Sequence, residues 1–182
     1  MENLSRRSIM VAAAALLSLQ RAAAQSAAAR GDWFATIKAH DAMIAKSFEA
    51  LMTSERRTQL QRERLIAVTG YQLTAHSVAE ENVIYPALAM VGMTAESDRL
   101  YLDQAHAKVM NGQLELAVGT NRAGSTWTEP ARALQTAVLE HAKEDEAAQL
   151  YPQLQQKLTP EQNALLTAGY QREFASVKPR RG

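Results

Sequence analysis

A chain of 182 residues with a formal net charge of +1 can build one ordinary core and carries no basic excess for nucleic acid. Cysteine is absent, which excludes disulfides, iron–sulfur ligation and thiolate zinc sites. Glycine (8) and proline (5) are few against abundant alanine, leucine, glutamine and glutamate, the composition of an all-helical protein.

The first thirty residues read as an export signal rather than as part of the fold. Arg6 and Arg7 precede an apolar run from Val11 to Leu19, and small residues follow from Ala22 to Ala29. The run is shorter than the roughly 20 residues that a bilayer span needs. Paired arginines before a mildly apolar run resemble a twin-arginine signal, with a plain secretory signal as runner-up. Cleavage after Ala24 or Ala29 is expected to leave a mature domain starting near Gly31. That domain would be periplasmic or secreted, without a stable membrane span.

The first amphipathic helix is predicted from Asp32 to about Met52, with Trp33, Ile37, Ile44, Phe48 and Leu51 on its apolar stripe. His40 falls on that stripe. Thr53 or Ser54 is expected to cap a second helix, with Leu65, Thr69, Leu73, His76, Glu80 and Val83 inward. This helix ends near Met90 to Gly92, and Pro86 must disturb its last turns. Thr94 opens a third helix, whose inner face is read as Leu102, His106, Val109, Met110 and Leu114, with Gly119 as its stop.

Asn121 to Trp127 reads as a loop. Thr128 caps a fourth helix, with Pro130 in its first turn and Leu134, Val138, His141, Asp145 and Ala148 on one side. Thr159-Pro160-Glu161-Gln162 carries a capping box and opens a short fifth helix. The tail from Lys178 to Gly182 is basic and is expected to fray. The expected fold is an all-α, up-down-up-down four-helix bundle over residues 31–158, with a C-terminal helix and tail over 159–182.

All four histidines lie in these helices. His76 is followed by Glu80, and His141 by Asp145, each one turn later. A nitrogen and a carboxylate at i, i+4 share one helix face. Both segments run into Tyr-Pro, at Tyr85-Pro86 and Tyr151-Pro152, which suggests a weak internal duplication with one extra residue in the second copy. Buried imidazoles and carboxylates are costly unless paired or bound to metal. Mixed nitrogen and oxygen donors without sulfur favour iron or manganese, although zinc would bind. Glu81, Glu144 and Glu146 are read as solvated charges, and Tyr85 and Tyr151 as packing at the bundle ends.

The set His40, His76-x3-Glu80, His106, His141-x3-Asp145 with trailing Tyr-Pro resembles the hemerythrin-like, or HHE cation-binding, domain. The resemblance covers about Asp32 to Leu158. It implies a four-helix bundle around a non-haem di-iron centre, with manganese or zinc ranked behind iron. It further implies His40, His76, His106 and His141 as terminal ligands and Glu80 and Asp145 as bridging carboxylates, with Glu146 the substitute for Asp145. Oxygen-carrying members have a second histidine one turn after the third-helix histidine; Met110 stands there in this chain. Reversible oxygen carriage is thereby put in doubt, and an open coordination position is implied.

Three functions are compatible with these residues. One is an exported di-iron protein that binds dioxygen or a related small ligand such as nitric oxide, as sensor, scavenger or store. Another is a ferroxidase- or peroxidase-like enzyme. The last is a metal-free helical bundle that binds a protein partner.

Overall fold

The computed structural model describes residues 32–120, 127–147 and 150–179. The export-signal reading and most of the predicted loop before Trp127 lie outside these residues. Among the described residues every regular element is helical, with no strand. None of the described helices is long and apolar enough to cross a membrane.

Helix α1 spans Trp33–Met52, and the Asp32 carboxylate caps it by accepting from the Ala35 N–H at 2.7 Å. The stripe read from the sequence is the buried one: Trp33, Ile37, Ile44, Phe48 and Leu51. Thr53 and Ser54 do not open the next helix. Their hydroxyls donate back to the Glu49 and Leu51 carbonyls, so they close α1. Helix α2, Gln59–Ala79, starts five residues after Ser54 on a capping box formed by Thr58 and Gln61.

Pro86 is accommodated by a widened turn. Residues Glu80–Ile84 form a π-helical segment, and the Tyr85 N–H donates to the Glu80 carbonyl. Proline lacks the N–H and crowds the carbonyl four residues back, so an i→i−5 turn just ahead of it relieves the conflict. Helix α3, Tyr85–Met90, continues from there and closes at Gly92, whose φ of 88° lies where side-chain-bearing residues are strained.

Helices α4 (Thr94–Thr120), α5 (Thr128–Ala147) and α6 (Leu150–Lys157) follow. Helix α7, Pro160–Ser176, begins on the predicted Thr159/Gln162 capping box. It is 17 residues long and packs on α1, α2 and the π segment. Two bonds from Trp33 fix the docking: its N–H donates to Thr167 Oγ1 at 3.0 Å and its indole N–H to Asn163 Oδ1 at 2.8 Å. Thr159→Ala is expected to lower stability by about 1 kcal/mol through loss of the cap, checked by urea denaturation.

The core forms two apolar clusters. Trp33, Ile37, Ile84, Leu88, Leu100, Leu150, Leu154 and Tyr170 belong to one. Ile44, Phe48, Leu51, Ile66, Leu114, Val118, Trp127 and Leu134 belong to the other. Between them each long helix carries polar side chains: His40 and Asp41 on α1, His76 on α2, Asp103 and Gln104 on α4, and His141 on α5.

The inner face of α4 differs from the expectation. Leu102 is 71% exposed, Val109 is 60% exposed, and His106 is exposed as well. The buried line is instead Leu100, Gln104, Leu114 and Val118, with Ala107 and Met110 packed beside it. These residues recur at three- and four-residue steps, so they define one face; Met110 and Leu114 of the expected set lie on it, whereas Leu102, His106 and Val109 are turned away by part of a turn.

Candidate functional site

The polar layer centres on Glu80, which is 1% exposed. Its position at the start of the π segment, one turn beyond His76, brings it into the interior. Tyr151 donates its hydroxyl to Glu80 Oε1 at 2.6 Å. On the other oxygen, Oε2, the Gln104 amide donates at 2.8 Å and the Tyr85 hydroxyl at 3.2 Å. His76 Nε2 stands 3.1 Å from the same oxygen and 3.4 Å from Asp41 Oδ1. Thus both Tyr-Pro tyrosines reach one carboxylate. They line the site as well as pack the bundle, which corrects the packing-only reading.

His141 approaches from α5. Its Nε2 lies 3.2 Å from the Tyr85 hydroxyl and 3.4 Å from Gln104 Nε2, and its Nδ1 lies 3.6 Å from Asp103 Oδ2. Asp103 also takes an ion pair from Arg99 at 2.9 Å. Asp41, His76, Asp103, Gln104 and His141 line a cavity of about 20 Å³, close to the room one water needs.

The charges follow from burial and neighbours. For His76, burial alone would push the imidazole down. The Glu80 charge, the hydrogen bond to Glu80 and the Asp41 charge outweigh it and raise the value to about 9. For Glu80, burial works upward, and the His76 charge and hydrogen bond bring the carboxyl down to about 2. Burial takes His40 down to about 4, with His76 adding to the fall and Glu80 opposing it. Burial also lowers His141, against the pull of Glu80. Near neutral pH the centre therefore holds a His76 imidazolium, a Glu80 carboxylate and two neutral imidazoles.

His40 stands one layer out. Its Nδ1 lies 3.0 Å from the Tyr170 hydroxyl, and its ring sits on Phe174 with centroids 3.9 Å apart. The same hydroxyl is 3.0 Å from His76 Nδ1. Of the six ligands expected from the sequence, His76, Glu80 and His141 are brought together and His40 is linked through Tyr170. His106 is turned outward on α4, with Gln104 on the inner face in its stead. Asp145 lies on α5 by its backbone, but its side chain and that of Glu146 fall outside the described residues.

Sequence reasoning missed Asp41, Asp103, Gln104 and Tyr170. The stripe running back from Val118 through Leu114 to Leu100 passes through Gln104 and was the available signal. Asp41 adjoins His40 and was equally accessible. Nothing in sequence spacing ties Tyr170 to the site.

Among the described residues, no three His, Asp or Glu side chains are already arranged to hold an ion. Their donor atoms are engaged with each other and with the tyrosines and Gln104. The donor types, imidazole nitrogen and carboxylate oxygen, are nevertheless ones that a divalent cation takes. Donors held about 2.1 Å from one ion stand about 3.0–3.4 Å apart around it. The His76 Nε2 separations from Glu80 and Asp41, 3.1 and 3.4 Å, have that size. Ligation would require His76 to give up its Nε2 proton, so binding would release protons.

No family model matches this chain, and neither does any curated protein or solved structure.

Proposed function

We propose that this chain is an exported, hemerythrin-like metal protein that holds a non-haem di-iron pair and binds dioxygen or a related small ligand such as nitric oxide. The observation that carries the reading is the buried convergence of His76, Glu80 and His141, with Asp41 and Asp103 beside them, midway between two apolar clusters. Nitrogen and oxygen donors without sulfur suit iron or manganese, with zinc behind. An up-down-up-down bundle is part of the proposal. It is supported by the order in which the helices meet the clusters: α1 and α4 run from the Trp33 cluster to the Phe48 cluster, α2 runs back, and α5 starts in the Phe48 cluster with α6 following it in the Trp33 cluster.

In this reading Glu80 would be a carboxylate ligand of the metal centre, and His76 and His141 would be nitrogen ligands. Asp41 and Asp103 are the flanking carboxylates, with Asp145 a further candidate. An iron pair held there would supply binding of a small ligand at an open coordination position. The chain's own part is to exclude bulk water, fix the imidazole rings and present the Tyr85 and Tyr151 hydroxyls as hydrogen-bond donors beside the donor set.

Mature protein from its native compartment is expected to carry about two irons per chain, with charge-transfer absorption in the visible spectrum. His76→Ala/His141→Ala should lose the metal while keeping its helical circular dichroism. Metal-free wild-type protein, or equal metal content in the variant, would sink the proposal and bring the partner-binding bundle forward. The two tyrosine hydroxyls beside Glu80 favour a second reading, a ferroxidase- or peroxidase-like enzyme. Sustained oxidation of excess ferrous ion would select it; a single stoichiometric uptake would select the ligand-binding protein.

A further inference from the structure

Tyr170 comes from α7, outside the four long helices that carry the polar layer, and its side chain is fully buried. Its hydroxyl oxygen lies 3.0 Å from His40 Nδ1 and 3.0 Å from His76 Nδ1. Among the described residues the hydroxyl has no third partner. A phenol has one proton to donate and accepts through its oxygen. Both contacts are therefore satisfied together when one Nδ1 carries a proton and donates to the oxygen, while the other is bare and accepts the O–H.

A histidine that ligates through Nε2 carries its proton on Nδ1. If His40 and His76 both ligated in that way, both Nδ1 protons would point at one oxygen. The Tyr170 O–H would then be left in the interior without an acceptor, which burial disfavours. Two further contacts make the histidines unequal. His76 Nε2 faces Glu80 and Asp41, whereas the His40 ring packs at a 30° tilt against Phe174, one turn along α7 from Tyr170.

We infer that Tyr170 is a positioning residue of the candidate centre: it ties the two Nδ1 atoms to opposite protonation and so admits His76, and not His40, as an Nε2 ligand. The tyrosine then acts through His76. It accepts a hydrogen bond from the His76 Nδ1–H, orients the ring and donates its own O–H to the bare His40 Nδ1. Helix α7 becomes a working part of the site. The ligand role rests on the proposed metal centre; the coupling of the two rings does not.

The test has two arms on the full mature chain. In chelator-treated protein with ¹⁵N-labelled histidine, long-range ¹H–¹⁵N spectra should show one of the two Nδ1 atoms protonated and the other bare. Two protonated or two bare Nδ1 atoms would overturn the coupling, and this readout needs no variant. The second arm titrates ferrous ion anaerobically against a competing chelator. Tyr170→Phe keeps the ring and should weaken binding about 10–100-fold, the usual loss when the partner of a metal-bound histidine is removed. His40→Ala should stay within a few-fold of wild type. Wild-type affinity in Tyr170→Phe, or a loss in His40→Ala as deep as in His76→Ala, would overturn the assignment. A wild-type protein that binds no ferrous ion would overturn the ligand role together with the metal proposal, and the spectra of the metal-free chain would still decide the coupling.

Discussion

Glu80→Ala is expected to destabilise the chelator-treated protein by about 3–5 kcal/mol, the cost of removing one member of a buried ion pair. The substitution leaves the His76 imidazolium without its main partner in a site where His76 is only 6% exposed. It also removes the acceptor toward which Tyr151, Tyr85 and Gln104 donate. Glu80→Gln keeps an acceptor and should recover part of the loss, leaving the difference as a measure of the charge. Urea or thermal unfolding of the three proteins reads the effect. A loss below about 1 kcal/mol for Glu80→Ala, the scale of an exposed pair, would mean that the network is far more open to water than its burial indicates.

The pH dependence of the metal-free protein is the other large effect. His76 has a folded value near 9 against 6.5 for the free side chain. Its stabilisation is complete below pH 6.5 and is lost as pH rises through 9. Because each tenfold change in proton affinity is worth about 1.4 kcal/mol, that loss is on the order of 3 kcal/mol. On the acid side, His40 has a folded value near 4 and His141 is also lowered, so the unfolded chain takes up more protons below pH 6.5 and stability falls. Glu80, lowered from 4.5 to about 2, loses its contribution across that lower window. Stability should therefore peak near pH 6.5 and drop on both sides. A series of denaturation curves from pH 3 to 10 checks the shape. A flat alkaline limb would show that His76 is not held as an imidazolium, and His76→Ala should remove that limb in any case.

Amphipathic periodicity made much of this molecule legible in advance. The α1 stripe was readable because Trp33, Ile37, Ile44, Phe48 and Leu51 are large and keep strict phase. The pairing of His76 with Glu80 needed only helical spacing. The capping box at Thr159 is local chemistry, and the structure forms it. The misreadings have physical causes. Helix α4 carries exposed Leu102, Val109 and Leu116 beside buried Leu100, Leu114 and Val118, so apolar residues alone did not fix its phase. Apolar pattern alone therefore puts His106 at the inward position that Gln104 holds. Tyr170 was out of reach because its link to His76 spans 94 residues and depends on how α7 docks.

The wide turn at Glu80–Ile84 has a consequence for the register of the helix that continues beyond it. A π turn holds one residue more than the α-helical path it replaces, so in gene terms it is a one-codon insertion kept inside a helix. Each residue of an α-helix advances the face by about 100°. Winding the same residues into an ordinary α-helical ladder would swing Tyr85, and all of α3 behind it, off the present bearing, and the wide turn absorbs that extra step. The reading frame of this single turn thus sets which side chains meet Glu80, and it ties the Tyr-Pro pair to its histidine more tightly than the residue types alone would.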